Sequence, residues 1–212
     1  MHYIPPADNG PELIYCDEFL LVVNKPAGLL SVPGRGDDKQ DCLSARIQRD
    51  FPGALIVHRL DMATSGLLVF ARGPEMQRRL SELFRDRIVT KRYVAVVAGQ
   101  VQAEIGDVNL PIVADWPNRP LRKIDAALGK PSLTRYRVLT HDTGTTRLEL
   151  EPVTGRTHQL RVHMKAIGHP ILGDALYGDP ASAPRLLLHA LSLSFPHPKT
   201  HAPLNFVCAP AF

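Results

Sequence analysis

Apolar and polar positions along the chain mark out a series of short elements. In residues 12–25 (ELIYCDEFLLVVNK) two apolar runs flank Asp17-Glu18, and Pro26 and Gly28 end the second, which predicts two short strands. Residues 29–40 (LLSVPGRGDDKQ) read as an exposed loop. Asp41 stands where an N-cap belongs, ahead of Leu43, Ile47 and Phe51 on one helical face, with Pro52-Gly53 as the stop. Residues 54–71 (ALIVHRLDMATSGLLVFA) are apolar at both ends and polar between. They predict a loop carrying HRLDMATSG and then a buried strand, GLLVFA. Pro74 starts the clearest helix, with Met76, Leu80, Leu83, Phe84 and Ile88 as its apolar stripe and Arg78, Arg79, Arg85 and Arg87 on the other face.

The β-rich run KRYVAVVA (91–98) precedes a turn-rich region, 100–132, without a clear period. Residues 133–152 read as a hairpin around Asp142-Thr143-Gly144, where Arg147, Glu149 and Glu151 alternate with Leu148 and Leu150. Thr157 is expected to cap a helix over 158–167, with Leu160, Met164 and Ile167 inward and Gly168 just past its end. LLLHALSLSF (186–195) supplies a further strand. Such irregular interleaving of strands, hairpins and helices predicts an α+β fold with a mixed, mainly antiparallel sheet. At 212 residues, a single domain of two subdomains sharing a central sheet is expected.

Composition narrows the class. Apolar residues at 44% and charged residues at 22% describe an ordinary globular chain. No apolar run approaches membrane-spanning length, and the start has neither a basic nor an apolar leader segment, so neither a span nor a secretory signal is expected. Three scattered cysteines with no CxxC pair exclude a disulfide framework and a cysteine zinc site, and suit a reducing cytoplasm. The net charge of +4 is modest, but its placement is not. Residues 72–92 hold seven bases against three acids, 119–137 six against one, and 154–169 three against none. Three basic segments on a body that is otherwise net acidic point to a polyanion, while solvated helix faces are the plainer alternative.

The chemistry-bearing strings are few. Dinucleotide, P-loop, HExxH and GxSxG signatures are all missing, and no histidine spacing fits a metal site. In HRLDMATSG, Asp61 lies between an arginine and a small polar cluster, just before a buried strand. A turn aspartate bonded to Thr64 and Ser65 is one reading, and an ionised catalytic carboxylate is the other. In GRTHQLRVHMKAIGHPILGDALYG (155–178), helical spacing places His158, Arg161 and Lys165 on one face, with Tyr177 downstream. Tyr93 in Lys91-Arg92-Tyr93 opens a strand, either as ordinary sheet packing or as a ring for stacking on a base.

Five strings, NKPAGLLSVPG (24–34), HRLDMATSGLLVFA (58–71), KRYVAVV (91–97), TGRTHQLRVHMKAIGHPILGDALYG (154–178) and RLLLHALSLSFPHP (185–198), resemble in order and spacing the RluA-type pseudouridine synthases. That resemblance implies the pseudouridine synthase fold with a central RNA-binding cleft, and isomerisation of uridine in RNA without cofactor or metal. It implies catalytic roles for Asp61, Tyr93 and Arg161, with Arg161 pairing the aspartate. RNA contacts are expected on the motif loop and the basic segments, through His58, Arg59, Thr64, Arg78, Arg79, Arg92 and His158, and the resemblance supports Arg59 as the residue filling the gap that a flipped base leaves. DWPNRP (115–120), GKPSLTRY (129–136) and the lack of an S4-type domain resemble the branch that modifies stem-loops of both tRNA, in the anticodon arm, and 23S rRNA. A cytoplasmic monomer without an obligate protein partner is the accompanying expectation. A single RNA target, a catalytically silent RNA-binding protein and an aspartate-based hydrolase are the rivals.

Overall fold

A computed structural model describes residues 3–212. In chain order it forms β1 (Glu12–Cys16), β2 (Leu20–Lys25), α1 (Leu43–Asp50), β3 (Ala54–Ile56), β4 (Ser65–Arg72), α2 (Pro74–Arg85), β5 (Thr90–Ala98) and β6 (Ile105–Asn109). There follow β7 (Ile112–Ala114), β8 (Arg122–Ile124), β9 (Leu133–Asp142), β10 (Thr145–Pro152), α3 (Gln159–Ala166), β11 (Leu188–Pro196) and β12 (Pro203–Val207). The expected α+β class is what forms, and every pairing between named strands whose direction is resolved is antiparallel. The chain divides into two compact units: residues up to Lys91 with Ala190–Ala211, and Arg92–His189 with Phe212.

In the first unit the strand order is β1-β2-β4-β11, with β3 on β4 and β12 on β11. The β1–β2 turn forms because Asp17 Oδ1 accepts the N–H groups of Phe19 (2.7 Å) and Leu20 (2.8 Å), so one carboxylate reverses the chain. Strand β4 is buried from Ser65 to Ala71, which is why its sequence is a continuous apolar run rather than an alternation. Leu67, Val69 and Ala71 pack with Leu20 and Val22 against Met76 and Leu80 of α2, and Leu193, Phe195 and Phe206 close that core.

Two local expectations are corrected here. Ile88 lies beyond α2 and is 51% exposed, because the helix ends at Arg85 with Asp86 as its C-cap. Arg87 turns left-handed (φ 61°), and the Ile88 N–H reaches back to the Leu83 carbonyl at 3.0 Å. Asp41 does not cap α1. Its carboxylate instead receives Arg46 Nε (2.8 Å) and Nη2 (2.7 Å), a charge-assisted pair stronger than a neutral cap bond, and Cys42 stands at the N-cap.

In the second unit β5, β10, β9 and β6 lie in that order, and β7 with β8 forms a separate two-stranded hairpin inside the region that had shown no period. The predicted hairpin over 133–152 is β9–β10, with Thr145 opposite Asp142 and only Thr143-Gly144 between. Thr146, Leu148, Leu150 and Pro152 are buried while their neighbours are half-exposed, as the alternation required. Thr157 does not cap α3. His158 holds that position in the left-handed region (φ 58°) and makes no cap bond. The helix is not an exposed basic one either, since Gln159 through Met164 are all buried.

Candidate active site

Asp61 lies on the loop between β3 and β4, in a turn closed by the Thr64 N–H on the Asp61 carbonyl (3.1 Å). The backbone on both sides of Asp61 is held by the segment that follows β2. Ser31 Oγ donates to the Leu60 carbonyl (2.7 Å) and accepts the Leu60 N–H (3.2 Å). The Met62 carbonyl accepts from Gly28 N (2.9 Å) and from Lys25 Nζ (3.0 Å). Lys25 Nζ also donates to Pro26 O (2.9 Å) and Leu29 O (2.7 Å), so three carbonyls meet the three N–H donors of an ammonium. Lys25 is fully buried. Burial pushes its pKa down to about 7, against the opposing pull of the Asp61 charge. The buried Lys25 amine thus fixes the shape of the loop that carries Asp61.

The other residues expected on this loop divide. Arg59 is exposed beside Asp61. Thr64 is buried, and its backbone closes the turn. His58 stacks on Phe84 (centroids 4.3 Å, planes 22° apart), and its Nε2 accepts the Val69 N–H at 3.0 Å. Burial, then the Lys91 charge, pushes the His58 pKa down to about 3, so the ring is neutral and serves packing. On α2, Arg78 pairs with Glu82 (3.0 Å) and Arg79 with Glu75 (2.6 Å), while Arg79 Nη1 also reaches Pro198 O (2.9 Å). Both are i,i+4 pairs at the surface, worth only a few tenths of a kcal/mol and open to exchange for another anion.

In the second unit Tyr93, half-buried on β5, stands opposite Leu150 of β10. Arg92 beside it gives Nη1 to Glu149 (2.8 Å), which also takes Arg137 (3.0 Å). Arg161 is buried on α3 and gives Nε (2.8 Å) and Nη2 (2.6 Å) to the two oxygens of Asp174, a bidentate pair. Asp174 Oδ1 also accepts the N–H groups of Leu176 (2.9 Å) and Tyr177 (3.1 Å). Burial, the largest influence, would raise the Asp174 pKa, but Arg161 and the two N–H donors hold it below the ordinary carboxylate range.

Tyr177 organises the face that the spacing predicted. Arg161 Cζ lies 5.2 Å and Lys165 Nζ 5.9 Å from its ring centre. Its hydroxyl accepts the Arg122 N–H (2.8 Å) and meets His158 Nδ1 (2.7 Å). Beneath α3, His163 Nε2 reaches the Leu110 carbonyl (2.9 Å), so that nitrogen carries the proton and Nδ1 accepts from Thr134 Oγ1 (2.9 Å). Gln159 Nε2 donates to Thr134 Oγ1 (3.0 Å), and Gln159 Oε1 accepts from Thr154 Oγ1 (2.7 Å). This satisfied network locks α3 and with it the direction of Arg161.

Lys25, Ser31, Gln159, His163 and Asp174 were not singled out by sequence reasoning. The strings NKP, THQ and GHPILGD contained most of them, but only burial reveals their work. Among the described residues, no cluster of three or more His, Cys, Asp or Glu is arranged to hold a metal ion, and no helix is long and apolar enough to cross a membrane.

Comparison with known proteins agrees with these strings. The chain is 51% identical over 201 residues to the dual-specificity RNA pseudouridine synthase RluA of Escherichia coli (strain K12), covering 93% of this chain and 92% of that one. It is 47% identical over 214 residues to the protein of the same name from Pasteurella multocida, covering 99% and 98%. The solved structure of human RNA pseudouridylate synthase domain containing 1 superposes with a TM-score of 0.81 at 31% identity, covering 99% of this chain and 87% of that one. The model of the RNA pseudouridylate synthase family matches residues 19–166, which hold Asp61, Tyr93 and Arg161 together with the network beneath α3. By that match and by relatives about half identical over nearly their whole length, the chain belongs to the RNA pseudouridylate synthase family.

Proposed function

We propose that this enzyme converts uridine to pseudouridine in two classes of RNA, an anticodon stem-loop of tRNA and a stem-loop of 23S rRNA. What supports the double target is near-half identity, over almost the full chain, to relatives named as dual-specificity RNA pseudouridine synthases. In the reaction the bond from the ribose C1′ to uracil N1 breaks, the base turns, and C5 bonds to C1′. C5 gives up its proton and N1 gains one, so the product is an isomer and no co-reactant is consumed.

Asp61, Tyr93 and Arg161 carry the roles that the family resemblance gives them. Asp61 is the carboxylate that acts at the glycosidic bond, Tyr93 the ring and hydroxyl for the uracil, and Arg161 the arginine that the resemblance assigns to that carboxylate. The observation behind this reading is the Asp61 loop, where a buried ammonium and a serine hydroxyl hold the backbone on both sides of one carboxylate. Rigid presentation of a single acid is what a reaction needs when geometry rather than a cofactor supplies the rate. Arg59, Arg78, Arg79, Arg92 and His158 serve RNA binding, whereas His58 and Thr64 act by shaping the loop. The chain works as a cytoplasmic monomer.

Carbodiimide-blocked reverse transcription of RNA from a deletion strain, with and without the restored gene, tests the proposal. Pseudouridine should vanish from one tRNA site and one 23S rRNA site and return with the wild type but not with Asp61→Asn. Loss at one class alone would make the enzyme single-target, and full recovery with Asp61→Asn would remove Asp61 from the chemistry.

A further inference from the structure

The β7–β8 hairpin presents the chain's single tryptophan to solvent. Trp116 is 65% exposed, on a turn closed by hydrogen bonds. Arg119 Cζ lies 3.3 Å from the centre of its ring, a face-on stack. The tip is closed by backbone bonds from Asp115 N to Leu121 O (3.0 Å), Asn118 N to Asp115 O (3.1 Å) and Leu121 N to Asn118 O (3.0 Å), and by Asn118 Nδ2 on Asp115 Oδ2 (3.0 Å). Below the tip, Ile112, Leu121 and Ile124 pack with Val162, Leu176 and Tyr177. The hairpin therefore buries its apolar base and leaves its largest apolar side chain out. With Arg119 over one face of the indole, the exposure falls on the opposite face and the ring edge. Across 115–123 three cations, Arg119, Arg122 and Lys123, outnumber the one acid, Asp115.

A rigid aromatic face, positively polarised from behind and flanked by cations, matches an unpaired nucleobase with its neighbouring phosphates better than it matches an apolar peptide. We propose that Trp116, backed by Arg119, is a stacking platform for one unpaired base of the RNA substrate. The inference rests on the RNA-modifying function above and adds a contact that selects the loop. It also connects to the site within its own unit. Arg122 pairs with Ala114 in the hairpin, and its N–H bonds the hydroxyl of Tyr177, whose ring receives Arg161. The platform lies two residues past Ala114, roughly 7 Å along an extended chain.

Because Trp116 is the sole tryptophan, the protein's indole emission reports on it alone. The test titrates Asp61→Asn protein with an unlabelled tRNA anticodon stem-loop, following emission, and in parallel measures polarisation with the same RNA carrying fluorescein. Emission should be quenched with the dissociation constant that polarisation gives. On that background Trp116→Leu should weaken binding roughly 5- to 150-fold, and Trp116→Phe, which keeps a ring, by only a few-fold. In the otherwise wild-type enzyme, Trp116→Leu should raise KM and spare kcat. RNA binding with unchanged emission, or Trp116→Leu binding as tightly as the parent, would overturn the platform while leaving the RNA function standing, and would assign the exposed indole to a protein contact instead. Failure of every variant to bind the stem-loop would overturn both.

Discussion

Asp174→Asn isolates what holds Arg161. The two side chains of this pair are 5% and 0% exposed, so the guanidinium has little water to fall back on. Asparagine keeps one oxygen for the N–H groups of Leu176 and Tyr177, but it turns an acceptor 2.8 Å from Arg161 Nε into a donor and removes the charge. Removing one partner of a buried pair costs about 3–5 kcal/mol, because the other charge stays behind uncompensated. For a chain of this size about 1 kcal/mol corresponds to about 2–4 °C, so Tm should fall by roughly 6–20 °C. The effect has a pH signature. The folded-state pKa of Asp174 is depressed, so its contribution is present above the unfolded value near 3.9 and disappears as pH falls through the folded value. Urea unfolding of wild type and variant should therefore differ fully at neutral pH and converge under acid. Adding Arg161→Met to Asp174→Asn removes the orphaned cation and should recover part of the lost stability without restoring pseudouridine formation. A single variant within about 1 kcal/mol of wild type at neutral pH, or a gap that does not close on acidification, would refute the account.

Three further outcomes are expected. Lys25→Met removes a buried ammonium whose pKa is pushed from 10.5 to about 7, so the wild type should gain stability relative to the variant as pH rises from about 7 to 10, in paired urea titrations; a loss over that range would contradict the burial argument. Gly66→Ala should abolish soluble protein or lower Tm sharply, since Gly66 has φ +110° and a Cβ would sit 2.4 Å from the Ala190 carbonyl oxygen, whereas Gly144→Ala, at φ +74° with open space, should cost only about 1–2 kcal/mol in the same melts. Reversing Arg78 and Arg79 to glutamate should weaken RNA binding and flatten the slope of log affinity against log salt by about 1.5, measured by polarisation; an unchanged slope would return the helix face to simple solvation.

The elements that local periodicity encodes were legible in the sequence. The stripe of Met76, Leu80, Leu83 and Phe84 buries as one face, and Leu148 and Leu150 alternate inward against Arg147, Glu149 and Glu151. The motif loop before a buried strand and the shared face of Arg161 and Lys165 also follow from spacing, whereas the fold brings that face and His158 to Tyr177. Capping misled at Asp41 because a carboxylate with several local options takes the strongest partner, here Arg46 one turn into α1. At the start of α3 the left-handed His158 stands at the N-cap position in place of Thr157. The supports of the site were hidden because only the fold brings their partners near. Lys25 ends an apolar strand and reads as a surface lysine, until the chain closes over it and leaves its ammonium three carbonyls. Asp174 lies outside the helix of Arg161, and no helical or strand period connects the two. Periodicity reports which face of an element turns inward. The strength of a charge pair depends on how much water is excluded around it, and that is known only once distant segments have packed.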